Sequence, residues 1–176
     1  YPSIVAGGKQ ACVLHYVTND AVLHEGDLVL IDAGLGFKRN GKPILVSLIQ
    51  NAGYEPEQIT KVLLSHLHKD HTDGLGFFEG DHYKTYFPKA TLFLQRREMD
   101  YALSQPENPS FNLRTIKALQ QLSNVHYMNA DQGKIGNYIT FEVTGGHSPF
   151  HQVFWFWNDD QIAFYGGDNL PQESYL

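Results

Sequence analysis

The sequence contains little cysteine, few basic residues and no long apolar segment. Its single cysteine, Cys12, excludes an internal disulfide, so a reducing, cytoplasmic location is the simplest expectation. No apolar run approaches the roughly 18 residues of a membrane span, and no charged-then-apolar leader opens the chain. The 13 lysines and arginines are outnumbered by 19 aspartates and glutamates, which gives a formal net charge of −6. We therefore expect neither a membrane protein nor a nucleic-acid-binding protein.

The composition is otherwise that of an ordinary globular domain. Hydrophobic residues make up 42% of the 176 residues and charged residues 18%, which argues against an intrinsically disordered chain. A chain of this length can bury one sizeable core, and it contains no internal repeat or convincing linker. We therefore expect a single domain over residues 1–176.

Apolar patterning predicts interleaved strands and helices. Strands are predicted at 11–17, 27–34, 59–66, 90–95, 138–144, 151–158 and 161–168. Helices are predicted at 42–54, 96–104 and 111–123, and a glycine-rich loop at 72–82. This order, with antiparallel hairpins at both ends, indicates an α/β fold in which two mixed sheets pack together with helices outside.

Histidine and aspartate are concentrated in one segment, "SHLHKDHTDG" at 65–74, directly after a predicted buried strand. His66 and His68 are two residues apart, so both can project to one side of an extended chain. Asp70 and His71 follow where the chain turns, and imidazole and carboxylate are both zinc ligands. Distant residues could complete the ligand shells of two metal ions. Because unpaired imidazoles beside a buried strand are costly, a metal site is favoured over a polar surface loop.

Three motifs, in order, resemble those of the metallo-β-lactamase superfamily. "HLHKDH" (66–71) matches the H-x-H-x-D-H motif, and its surroundings resemble the lactonase-like branch. "GGHSPFHQ" (145–152) is similar to the third motif and "FYGGDN" (164–169) to the fourth. The resemblance covers about residues 35–176 and implies an αββα sandwich. No counterpart of the fifth-motif histidine occurs before Leu176, so we expect this sandwich to be incomplete at its C-terminus.

The resemblance assigns metal ligands motif by motif. It implies that His66, His68 and His147 bind a first zinc ion. Asp70 and His71 would bind a second, which has lost one histidine and should bind more weakly. The expected cofactor is therefore zinc, as one or two ions per chain.

Further roles around the metals follow from the same resemblance. Asp168 would bridge the two ions, and Asp70 would act as the catalytic residue that holds the nucleophile and passes a proton to the leaving group. Asp32 would support the ligand loops from behind rather than bind metal. His151 matches a position that is not a ligand, and Lys69 occupies a variable position where a solvated charge is expected.

The implied activity is hydrolysis of a small ester, lactone or thioester through a metal-bound hydroxide. The expected partner is therefore a small-molecule substrate, with no nucleic acid and no membrane. An uncovered sheet edge near Asp168 would also allow a homodimer.

Residues 1–34 resemble a different family, aminopeptidase P, whose fold is the pita-bread fold. In "YPSIVAGGKQACVLHYVTNDAVLHEGDLVLIDAG" Asp32 would match a metal ligand and His15 a histidine of the substrate site. The other ligand motifs of that family do not occur, so an aminopeptidase is the least favoured function. The alternative is an engineered or recombined chimera, in which this β-hairpin is joined to the body at 35–176. Such a scaffold would bind metal with little or no activity.

Overall fold

The computed structural model of the chain describes residues 28–158 and 161–169. The predicted strand at 11–17, with Cys12 and His15, lies outside the described residues. In the part of the chain that is described, no helix has the length and apolar character needed to cross a bilayer.

Strands and helices alternate along most of the described chain. The strands are β1 Leu28–Ile31, β2 Lys38–Arg39, β3 Lys42–Pro43, β4 Ile59–Leu63, β5 Gly76–Glu79, β6 His82–Thr85, β7 Thr91–Gln95, β8 Val125–Met128, β9 Gln132–Ile135, β10 Ile139–Val143, β11 Gln152–Asn158 and β12 Gln161–Tyr165. The α-helices are α1 Ile44–Asn51, α2 Lys69–Thr72, α3 Arg96–Leu103 and α4 Leu113–Gln120. Short 3₁₀ turns lie at Pro56–Gln58, Asp73–Leu75 and Gly167–Asn169.

The first sheet is parallel and has the strand order β1-β4-β7-β8. Its strands are rich in apolar residues because both faces are covered. On one face Val62 and Leu92 belong to a core that also contains Ile49 of α1, Met99 of α3 and Ile116 of α4. A helical layer therefore covers one side of this sheet.

The second sheet is antiparallel and has the strand order β12-β11-β10-β9. Phe141 on β10 pairs with Phe154 on β11. Both side chains share a second core with Val29 and Leu63 of the first sheet, so the two sheets pack face to face. The outer face of β11 and β12 carries exposed apolar side chains, namely Trp157, Ile162 and Phe164.

Some local predictions are wrong. The stretch 72–82 is not a loop throughout, because it contains β5 and the first residue of a hairpin partner, β6. Gly76 is one reason for the error, since a Cβ there would lie 2.8 Å from Cζ of Tyr83. This glycine makes room for the carbonyl of Lys84 and the ring of Tyr83 on the neighbouring strand, and does not mark a turn. Strands β8 and β9 were not predicted, and neither sheet is mixed within the described residues.

The histidine-rich segment begins at the carboxyl end of β4, beside the carboxyl end of β1. The backbone N–H of Asp32 donates to the carbonyl of Leu63 at 2.9 Å. The loop between β10 and β11 reaches the same edge, because the N–H of Gln152 donates to the carbonyl of Ser65 at 2.9 Å. Loops of both sheets thus meet at one rim of the sandwich, which is where ligands collect in open α/β structures.

Candidate metal centre

Three histidines from two loops converge at this rim. His66 and His68 come from the segment after β4, and His147 comes from the loop before β11. One ring nitrogen from each of the three lies within 4.8 Å of the others. The closest pair is His147 Nε2 and His68 Nδ1, at 3.0 Å. A trio of imidazole nitrogens this close together matches the donor set of a three-histidine metal site.

His66 is the most buried member of the group, with 1% of its surface exposed. Its Nδ1 lies 3.0 Å from Oγ of Ser65, while its Nε2 is buried without a hydrogen-bond partner. Burial, reinforced by the neighbouring His71 and His68, holds the pKa of His66 far below its usual range. The ring is therefore neutral, which is the form that binds a cation. These residues fit a divalent metal ion.

A second group shares His66 and adds His71 and Asp168, again with ligand atoms within 4.8 Å of one another. Asp168 lies in the 3₁₀ turn after β12 and faces both groups. Its Oδ1 is 3.4 Å from His71 Nε2, and its Oδ2 is 3.3 Å from His147 Nε2. The hydrogen bond with His71 holds the pKa of Asp168 below its usual range. One carboxylate therefore reaches the ligand atoms of both groups, which suits a bridging position.

Asp70 lies at the edge of the second group. Its Oδ2 is 3.8 Å from His71 Nε2, and its side chain is 43% exposed. Among the described residues, it is not within either set of convergent ligand atoms. Its roles as ligand and as catalytic residue stay predictions.

Asp32 lies behind His71, buried at 5% exposure and with a positive φ of 51°. Its carboxylate accepts hydrogen bonds from the backbone N–H of Ser65 at 2.9 Å, from Ser65 Oγ at 2.6 Å and from Tyr165 Oη at 2.8 Å. Its Oδ2 also lies 2.9 Å from His71 Nδ1. The carboxylate thus fixes the orientation of His71 and, through Ser65, of His66. Carboxylates placed behind ligand histidines in this way are usual in metal sites.

The pKa of His71 is raised, whereas that of His66 is lowered. Burial by itself lowers its pKa, but the carboxylates of Asp32 and Asp168 outweigh burial and raise the pKa to about 10. His71 is therefore protonated at neutral pH in the metal-free chain, and a cation in the second group must displace that proton.

Glu98, which was not predicted from the sequence, connects the two loops that carry the histidines. Glu98 of α3 is buried, and its carboxylate accepts from the backbone N–H groups of Leu67, at 3.4 Å, and Phe150, at 3.2 Å. It therefore links the two histidine loops. Burial raises the pKa of Glu98. Glu98 and Ala102 are four residues apart, so they lie on the same face of α3, and this spacing is a sequence signal that Glu98 faces inward.

His151 is completely buried beside the same loops. Burial, with a smaller contribution from His147, lowers its pKa to about 4. In the described residues it does not belong to either group of convergent ligand atoms. Lys69, for which a solvated charge is expected, is exposed, and its backbone N–H donates to the carbonyl of Ser110 at 2.8 Å.

Comparison with known proteins gives two kinds of match. Over a short stretch, the chain is 68% identical to Xaa-Pro aminopeptidase of Haemophilus influenzae, across 37 residues that cover 21% of this chain and 9% of that protein. Over a longer stretch, it is 28% identical to the N-acyl homoserine lactonase AttM of Agrobacterium fabrum, across 121 residues that cover 62% of this chain and 40% of that protein. Both resemblances expected from the sequence are therefore confirmed.

Solved structures confirm the predicted fold. The structure of AidC, described as a dizinc quorum-quenching lactonase, superposes with a TM-score of 0.66 and 25% identity, covering 82% of this chain and 53% of that one. The chain thus spans about half the length of the solved structures that it matches, and less than half of the curated relatives. The profile of the metallo-beta-lactamase superfamily matches residues 16–175. The chain therefore belongs to the metallo-β-lactamase superfamily.

Proposed function

We propose that this protein is a zinc-dependent hydrolase of small esters, lactones or thioesters. One observation carries the proposal: imidazoles from two separated loops, His66 and His68 on one side and His147 on the other, bring their nitrogens within 4.8 Å of one another. A buried nitrogen without a partner, as in His66, costs free energy unless a cation or proton occupies it. Metal binding removes that cost.

We infer the ligand assignment from the two groups of convergent atoms. His66, His68 and His147 would hold the first ion, and His71 with Asp70 would hold the second. Asp168 would contact both, since its two oxygens face His71 and His147. When bound, a divalent cation supplies Lewis acidity and makes water a nucleophile at neutral pH.

The side chains at the rim then supply orientation and proton transfer. Asp70 is exposed at the edge of the site, where its carboxylate can accept a proton from the attacking water and deliver it to the leaving oxygen. Asp32 keeps His71 oriented from behind. The ring of Phe111 packs edge-on to His68, with centroids 4.9 Å apart, and shields that side of the site from water.

The relatives support a choice among the candidate substrate classes. AttM acts on N-acyl homoserine lactones, and AidC is described with the product N-hexanoyl-L-homoserine. Because both are lactonases, we favour lactones and related small esters over phosphodiesters as substrates. The match of the superfamily profile to residues 16–175 supports one domain over residues 1–176. A homodimer stays a prediction.

The test is turnover by protein loaded with zinc. The chain is stripped with a chelator, reconstituted with zinc, and assayed against an acyl homoserine lactone, a chromogenic ester and a phosphodiester. We expect hydrolysis of the first two, which the chelator abolishes and zinc restores. The His147→Ala variant should lose it, whereas His82→Ala, which changes an exposed histidine on the β5–β6 hairpin, should not. Zinc binding with no turnover would contradict the hydrolase.

The second candidate is a chimeric scaffold of the same fold that binds metal without turnover. The observation in its favour is the 68% identity to an aminopeptidase, over a stretch that covers only 9% of that enzyme. The same assay separates the two candidates. Stoichiometric zinc with no hydrolysis of any substrate supports the scaffold, and release of a residue before proline would support an aminopeptidase.

A further inference from the structure

We propose that Asn169 is a positioning residue that sets the place of His147 against His66 and His68. The inference rests on the proposed function, in that the three histidines must bind a cation together. Asn169 directly follows Asp168, and both its amide oxygen and its amide nitrogen form hydrogen bonds with the loop that carries His147. Its effect on a metal would therefore be exerted through the loop that carries His147.

The amide of Asn169 is fully engaged with that loop. Its Oδ1 accepts from the backbone N–H of His147 at 2.9 Å. Its Nδ2 donates to the carbonyl of Gly145 at 2.7 Å and to Oγ1 of Thr144 at 2.8 Å, and it also lies 3.2 Å from Nδ1 of His151. One side chain thus adds to the backbone hydrogen bonds of this loop, in which the N–H groups of Thr144 and Gly145 donate to the carbonyl of His151.

The loop backbone is shaped to accept this side chain. Gly145 and Gly146 both have positive φ, at 62° and 97°. A Cβ at Gly146 would lie 2.5 Å from Oδ1 of Asn169, so a side chain at that position would force the asparagine amide to move. The missing side chain at Gly146 therefore leaves the space that the asparagine amide occupies.

The same 3₁₀ turn therefore holds His147 at two points. Asn169 holds its backbone N–H, and Oδ2 of the preceding Asp168 lies 3.3 Å from its Nε2. His147 needs such support, because its side chain is 35% exposed and it lies on a loop rather than on a helix or strand. A ligand on an exposed loop must be fixed by its surroundings if the metal is not to bear the cost of ordering it.

A double-mutant cycle tests the inference. The affinity for zinc is measured by competition with a chromophoric chelator for wild-type protein, Asn169→Leu, His147→Ala and the double variant. Removing a residue that orients a ligand typically lowers metal affinity about 10- to 100-fold, and we expect this for Asn169→Leu. If Asn169 acts through His147, the double variant should bind no more weakly than His147→Ala alone. Asn129→Leu, at an exposed asparagine, is the matched control and should leave the affinity unchanged.

A second variant keeps the test decisive if Asn169→Leu does not fold. Thr144→Val removes one anchor of the amide while it preserves the shape of the side chain. Loss of one such hydrogen bond should lower zinc affinity about two- to tenfold, and again only when His147 is present.

Two outcomes would overturn the inference. Unchanged affinity in Asn169→Leu, or an additive loss in the double variant, would mean that Asn169 does not act through His147. Absence of zinc binding by the wild-type chain would overturn the proposed function and this inference together. The two failures are therefore distinguishable.

Discussion

Replacing Asp32 by asparagine should destabilise the metal-free protein through the loss of one buried charge. Oδ2 of Asp32 accepts from Ser65 Oγ and Tyr165 Oη and lies 2.9 Å from His71 Nδ1. In the Asp32→Asn variant an amide NH₂ stands at that position if the amide oxygen keeps the bond from the backbone N–H of Ser65. The two hydroxyls can rotate to accept from the amide, but the protonated imidazole cannot.

The magnitude follows from the pKa of His71. Raising it from 6.5 to about 10 corresponds to roughly 5 kcal/mol of net stabilisation, which remains after the carboxylates of Asp32 and Asp168 have outweighed the opposing effect of burial. We assign about half of this to Asp32, because it is the more buried carboxylate. The Asp32→Asn variant should therefore lose about 2–3 kcal/mol of unfolding free energy at pH 7. Tyr165→Phe, which removes one neutral donor, should lose only about 1 kcal/mol.

The difference in unfolding free energy between wild type and Asp32→Asn should depend on pH. A histidine whose pKa is raised on folding contributes stability that is complete below pH 6.5 and is lost as the pH rises through about 10. Urea unfolding of metal-free wild type and Asp32→Asn should therefore differ most at pH 6–7 and less at pH 10. Equal stability of the two proteins at pH 7, or a difference that grows toward pH 10, would refute the reasoning.

Three further predictions concern the same rim and the hairpin beside it. His68→Ala should lower the affinity for the first zinc ion by at least about tenfold, measured by chelator competition, with His82→Ala as the unaffected control. The pKa of His66 is lowered on folding, so the free energy of unfolding of the metal-free protein should fall by about 1.4 kcal/mol for each pH unit below 6.5. A urea unfolding midpoint that is the same at pH 5 as at pH 6.5 would contradict this. Gly76→Ala should lower the free energy of unfolding by about 1–3 kcal/mol, because its Cβ would lie 2.2 Å from the carbonyl oxygen of Lys84. Thermal unfolding measures this, and an unchanged midpoint would contradict the predicted steric clash.

Sequence patterns predicted the parts of the fold that depend on local periodicity. The apolar runs of β4, β7, β10 and β11 and the amphipathic helices were recognisable because each buries a continuous face or stripe. Strands β8 and β9 were missed, since "VHYM" and "QGKI" are short and mix exposed with partly buried positions. Their strand character comes from pairing with distant neighbours.

The candidate site also has residues that local sequence patterns reveal and residues that they do not. The spacing of His66 and His68 is a local signal, and it predicted a metal site from the residues alone. His147 and Asp168 lie about 80 and 100 residues further along the chain, so only the family resemblance connected them to that segment. Glu98 and Asn169 were missed because their roles consist entirely of contacts with other loops.

Anomalous diffraction at the zinc edge, from crystals grown with zinc, tests the central claim most directly. The account predicts an anomalous peak within about 2.0–2.1 Å of one nitrogen each from His66, His68 and His147. No peak at this position, or a peak that contacts only one of the two loops, would contradict it.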